Sequence, residues 1–234
     1  MQAPRDYAEL DLEALKRKLR ARAGELGFDA LGVSGIELED DERRLEEWLA
    51  AGYHGAMSYM ARHGTKRSRP AELVPGSVRA ICVRMNYWPA EARDPFAVLA
   101  DPESGYVSRY ALGRDYHKVM RGALARLGAE LGARIGPYGY RVCVDSAPVL
   151  EKALARAAGL GWIGKHTNLL ARDAGSWFFL GEILTDLPLP IDTAATSTHN
   201  RCGGSPIRAS VQRSLRPSRR RARSGAARRV RVAP

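Results

Sequence analysis

Gly139-Tyr-Arg-Val-Cys-Val-Asp145-Ser-Ala-Pro148-Val-Leu-Glu151 is the stretch that decides the fold. Its first half is short, apolar and carries β-branched valines, which predicts a strand over 139–145. Ser146 to Pro148 supply a turn, and Val149 to Ala158 continue as a helix that stops at Gly159. A strand that delivers an acid into a turn, followed at once by a helix, belongs to a mixed α/β (α+β) domain.

The pattern extends in both directions. Upstream, Val119, Met120, Leu124, Leu127 and Leu131 recur at helical spacing over 114–133. Strands are expected at 78–87 and 28–33, with helices at 6–26 and 40–51; Leu45, Trp48 and Leu49 form the inner face of the latter. Downstream, Ser176 to Leu184 read as another strong strand. Glycines and prolines crowd 52–76, which predicts a long structured loop with a short helix at 56–62. Residues 89–104 read as loop.

The formal charge of +11 is unevenly placed. Residues 201–234 hold 11 Arg with no Lys, Asp or Glu, and the first 200 residues balance 26 basic against 26 acidic groups. The basic character therefore belongs to the tail, and it is no evidence that the domain itself binds nucleic acid. The expected organisation is a domain over 1–200 and an Arg-rich disordered segment over 201–234. Three scattered cysteines exclude a disulfide framework. No apolar run approaches a membrane helix and the first residues do not form a signal peptide, so a cytoplasmic monomer without membrane attachment is expected.

Five segments in order carry a resemblance. They are Trp48-Leu-x-x-Gly52-Tyr-His-Gly55-x-Met57-x-Tyr59-Met60; Arg69-Pro70 with Leu73-Val-Pro75-Gly76; Ser108-Arg-Tyr-Ala-x-Gly113-Arg-Asp115-Tyr116-His117; Val144-Asp145-Ser146-Ala-Pro148-Val-Leu-Glu151; and Gly159-Leu-Gly161-Trp162-Ile-Gly164-Lys165-His-Thr-Asn168. Together, over roughly 15–204, they resemble the cobalamin-dependent epoxyqueuosine reductases. The resemblance implies a cobalamin-binding reductase core that reduces epoxyqueuosine to queuosine at the tRNA wobble position. It also implies [4Fe–4S] clusters in a following ferredoxin-like domain, and an external electron donor. Another cobalamin-dependent reductase, such as a dehalogenase relative, is the first alternative. An RNA-binding protein working through its basic tail is the second.

Position alone makes Asp145 a helix N-cap; the resemblance makes it the proton donor to the oxygen that leaves the epoxide. An ordinary aspartate is ionised at neutral pH, so desolvation is expected to raise it. Asp115, Tyr116 and His117 read as a capped helix start, and by resemblance they face cobalamin and the substrate base. Ser108 stands where relatives can carry Cys near cobalt. Arg69 is a candidate cobalamin or phosphate contact, beside a solvated Lys66–Arg67 pair. Gly161 to Lys165 form an anion-binding type of turn, and by resemblance Lys165 and Asn168 touch the cobalamin tail.

Cys202 stands where the family opens the cysteine run that ligates a cluster. Ser205, Arg208 and Gln212 occupy the later ligand positions, and no cysteine follows. One thiolate cannot hold a [4Fe–4S] cluster, so the expectation is a shifted reading frame after Cys202, no cluster bound by this chain, and impaired turnover.

Overall fold

The computed structural model describes residues 7–88 and 91–193, and the backbone of residues 231–232. Its centre is a four-stranded sheet of β1 (Ala30–Ser34), β2 (Arg79–Asn86), β4 (Tyr140–Cys143) and β7 (Phe178–Thr185) in the order β1-β2-β7-β4. Every pairing in it is antiparallel. The mixed composition matches the expectation, while strand order and direction are long-range pairings that sequence periodicity does not reveal.

The central strands β2 and β7 are buried on both faces, as near-continuous apolar strands must be. On one face lie α1 (Leu12–Glu25) and α5 (Tyr116–Ile135). Leu15, Leu19 and Ala23 of α1, with Met120, Leu124, Leu127 and Leu131 of α5, close over Val33, Ile81, Val83 and Ile183. Helix α5 approaches closely because Gly181 has no side chain: a Cβ there would sit 2.8 Å from Leu124 Cδ1. On the other face, α6 (Glu151–Ala157) packs Ala153, Leu154 and Ala155 against Ala80, Cys82, Cys143 and Leu184.

Local signals explain the element ends. Asp11 caps α1 by accepting from Ala14 N, and Asp115 caps α5 by accepting from His117 N. Helix α2 (Glu39–Ala50) is amphipathic but only half-buried at Leu45, Trp48 and Leu49. The loop over 52–76 contains 3-10 turns at Ser58–Met60 and Gly64–Arg67 and a short helix α3 (Pro70–Leu73). The stretch expected as loop at 89–104 instead contains α4 (Pro95–Ala100), because Asp94 caps it with Pro95 at its first position. Two short pairs complete the described residues. One is β5 (Trp162–Ile163) with β6 (Leu169–Leu170); the other is β3 (Ser104–Gly105) in parallel with β8 (Arg231–Val232). Cys202 and the rest of the Arg-rich segment lie outside the described residues. No helix among the described residues is long and apolar enough to cross a membrane.

Candidate active site

Strand β4 ends at Cys143, and two residues later Asp145 takes φ +45°. This left-handed backbone is unusual for a residue with a side chain, and aspartate is among the few that tolerate it. The turn aims the Asp145 carboxylate across at the start of α5. There His117 Nε2 lies 2.8 Å from Asp145 Oδ2, and His117 Nδ1 lies 3.0 Å from Asp115 Oδ1. The expected capping role for Asp145 is not what the structure shows: the residue before α6 is Leu150, with no side-chain cap. Asp115 does both jobs, capping α5 and holding the imidazole.

His117 is flanked by two carboxylates, and its pKa is raised above the ordinary imidazole value, first by the hydrogen bond to Asp145. The two carboxylates thus favour the protonated ring, which can donate from both nitrogens. Tyr116 stacks on Phe179 with ring centroids 3.9 Å apart and planes 1° off parallel. Its hydroxyl is pushed up to about 12 by burial and by the neighbouring Asp145.

An open cleft of about 230 Å³ lies beside this cluster, smaller than the roughly 300–1,000 Å³ of enclosed ligand pockets. Tyr87, Tyr116, Phe178 and Phe179 form an aromatic wall, and Asp145 and Glu151 face it. Asn168 also lines it, and its side-chain oxygen accepts from Lys152 Nζ. Lys152 also donates to the Thr167 carbonyl, which steadies the turn between β5 and β6. Tyr87 packs at a tilt against Phe179, and Trp177 packs against both Tyr87 and Trp88. The aromatic surface thus runs from the cavity out to the protein surface, where Arg109 sits over the Trp88 ring.

The structure brings Asp145, Tyr116, His117, Asp115 and Asn168 together. Ser108 is exposed and opens the 3-10 turn Arg109–Ala111, whose Tyr110 lines the cavity. Lys165 is exposed in the β5–β6 turn. Arg69 is elsewhere: Glu42 and Glu72 bind its guanidinium, and it is not among the cavity residues. The desolvation expected at Asp145 is also absent from the protein's own walls, since its side chain is 53% exposed. The half-buried acid of the cavity is Glu151, which desolvation, then the charge of Asp145, push up to about 7. Behind it Glu182 is fully buried, pushed well above the carboxylate range by burial and then by Glu151. Neither was singled out from the sequence. The available signal was a lone acid inside the apolar run Phe178–Thr185.

The sequence pattern of the family described as epoxyqueuosine reductase QueG, DUF1730, matches residues 67–146. The chain is 56% identical over 193 residues to the epoxyqueuosine reductase of Pseudomonas aeruginosa, covering 82% of this chain and 53% of that protein. A solved selenomethionine-labelled epoxyqueuosine reductase superposes with a TM-score of 0.72 at 25% identity, over 82% of this chain and 51% of that one. The fold is also that of an epoxyqueuosine reductase solved with an epoxyqueuosine-modified tRNA-Tyr stem loop, with a TM-score of 0.72 at 24% identity, covering 82% of this chain and 50% of that one. The chain spans about half the length of the relatives it matches. In sequence and in fold, the chain is thus similar to about half of an epoxyqueuosine reductase.

Proposed function

We propose that this chain provides the cobalamin- and substrate-binding half of an epoxyqueuosine reductase, with Asp145 as the proton donor. The observation that carries this reading is the Asp145–His117–Asp115 chain at the mouth of an aromatic cavity. The cleft could hold one face of a corrinoid at its open mouth: Tyr87, Phe178, Phe179 and Leu180 offer apolar contact, and Lys152 and Asn168 offer hydrogen-bonding groups for an amide-fringed ring. Reduced cobalamin, when bound, supplies the electrons that open the epoxide.

The chain's own residues handle the proton. Asp145 sits within reach of the cavity and protonates the oxygen released from the ring. His117 bonds the Asp145 carboxylate and holds it at the cavity mouth. Tyr116 is held by stacking on Phe179 and keeps its own proton. The exposed rings of Trp88, Trp177 and Tyr110, with Arg109, form a rim suited to stacking bases of an anticodon loop. The relative solved with a modified tRNA stem loop supports tRNA as the substrate. An external electron donor and a cytoplasmic location complete the reading; the [4Fe–4S] clusters of the intact family are not expected on this chain, where no cysteine follows Cys202.

The test is an absorbance titration of the chain with aquocobalamin, followed by conversion of an epoxyqueuosine-bearing stem loop with chemically reduced cobalamin. Asp145→Asn is expected to keep corrinoid binding and lose conversion. Full conversion by that variant removes the assignment, and a spectrum unchanged by the protein removes the reductase reading.

A further inference from the structure

Removing an epoxide oxygen as water, with a carbon–carbon double bond left behind, consumes two electrons and two protons. Both carbon–oxygen bonds break. The first proton converts the released alkoxide to a hydroxyl, and the second lets that hydroxyl depart as water. The electrons come from the low-potential reductant, a reduced corrinoid in the reading above, on which this inference rests. One carboxyl group at Asp145 carries only one proton at a time, so a second must be held nearby.

Behind the cavity the sheet carries a second acid. In β7 the alternating residues Phe178, Leu180, Glu182 and Leu184 share the face packed by α6, and the first two line the cavity. Glu182 lies opposite Cys82 on β2 and Cys143 on β4. It is 1% exposed, and its Oε1 has no hydrogen-bond partner. An ionised carboxylate in such a place would cost several kcal/mol, so Glu182 is neutral.

We infer that Glu151, backed by the buried Glu182, holds the second proton of the reduction and passes it to Asp145 after Asp145 has protonated the reacting oxygen. Glu151 opens α6 and lines the same cavity as Asp145. The groups facing it favour a resident proton. Asp145 is a like charge, Glu182 lies behind it, and Tyr116 keeps its proton. Lys152 pulls the other way, but its ammonium is bound to Thr167 and Asn168. Arg67, whose carbonyl accepts from Leu150 N, directs its guanidinium to the Tyr59 carbonyl. Arg156, further along α6, is bound by Asp41. Cys82 and Cys143, facing Glu182, are kept as neutral thiols by burial.

His117 is the rival source, and its two carboxylates argue against it. Giving up its proton would leave Asp115 and Asp145 without their shared cation. Glu151, with a midpoint of about 7, is held close to half-protonated at neutral pH. In the step itself, the Glu151 O–H bond breaks, an O–H bond forms on the Asp145 carboxylate, and Glu151 recovers a proton from water at the open cavity.

The test uses the full chain labelled with carboxyl-¹³C glutamate and titrated by NMR. A glutamate signal is expected to titrate near 7, vanish in Glu151→Gln, and move down toward the ordinary carboxyl range in Asp145→Asn. A Glu151 that titrates in the ordinary range, or ignores Asp145→Asn, overturns the inference. Parallel absorbance titrations with aquocobalamin separate the two readings. Corrinoid binding with an ordinary Glu151 sinks the proton store alone. A coupled, raised Glu151 in a chain that ignores corrinoid sinks the reductase reading, and the store loses its destination with it.

Discussion

Under α1 and α5 the sheet presents Val33, Ile81, Val83 and Ile183, all fully buried and all hydrocarbon. Under α6 it presents Ala80, Cys82, Cys143 and Leu184, equally buried, but with Glu182 among them and Glu151 at the edge. These four residues of the first face are closed over by α1 and α5, and only at its edge do Tyr116 and Phe179 reach the cavity. The second face tolerates Glu182, which burial keeps neutral, and Glu151, held near its midpoint, and it opens into the cavity. The difference shows where the fold gives up stability to hold protons near the reacting centre.

Four substitutions test this contrast. The largest effect is expected on the closed face. Leu124→Ala removes a fully buried side chain from α5 and should cost about 2–5 kcal/mol in denaturant unfolding at any pH. A smaller loss would mean that the face relaxes around the cavity.

Glu151→Gln should act in the opposite direction. Its folded value of about 7 lies above the usual 4.5. The unfolded chain therefore loses this proton first as pH rises. The resulting cost is absent below the ordinary carboxyl value, grows between 4.5 and about 7, and is constant above. The variant should be more stable than the parent by on the order of 3 kcal/mol at pH 8 and equal to it at pH 4. A pH-independent difference would refute the buried-acid account.

Gly181→Ala places a Cβ 2.8 Å from Leu124 Cδ1 and 3.1 Å from Met120 Cε. Thermal unfolding should register about 1–3 kcal/mol of overpacking, with corrinoid binding unaffected. His117→Gln should be the mildest for stability. The raised folded value of His117 means that its contribution is complete below the ordinary imidazole value and is lost as pH rises through the folded one. The variant should flatten that dependence in pH-resolved melting while barely moving the midpoint at high pH.

Much of the fold was legible because it rests on local rules. The apolar spacing of Met120, Leu124, Leu127 and Leu131 marks α5, and Asp115 before it marks the cap. Helix α4 lies where 89–104 reads as loop, because Asp94 caps and Pro95 starts a short helix in a polar, Pro-rich stretch. In the site, the Asp115–Tyr116–His117 run and Asp145 were found through a motif pattern. Arg69 was a candidate on the same grounds, yet its charge is taken up by Glu42 and Glu72.

The chain by itself determined which segments are helix and strand, where the charge lies, and which acids sit at turns, because periodicity and capping act over a few residues. Tertiary structure alone decided that β2 and β7 pair antiparallel, that Asp145 turns toward His117 28 residues away, and that Glu151 and Glu182 come to share one buried face. A carboxyl's proton affinity depends on what surrounds it in space, and only the packed sheet and helices supply those surroundings.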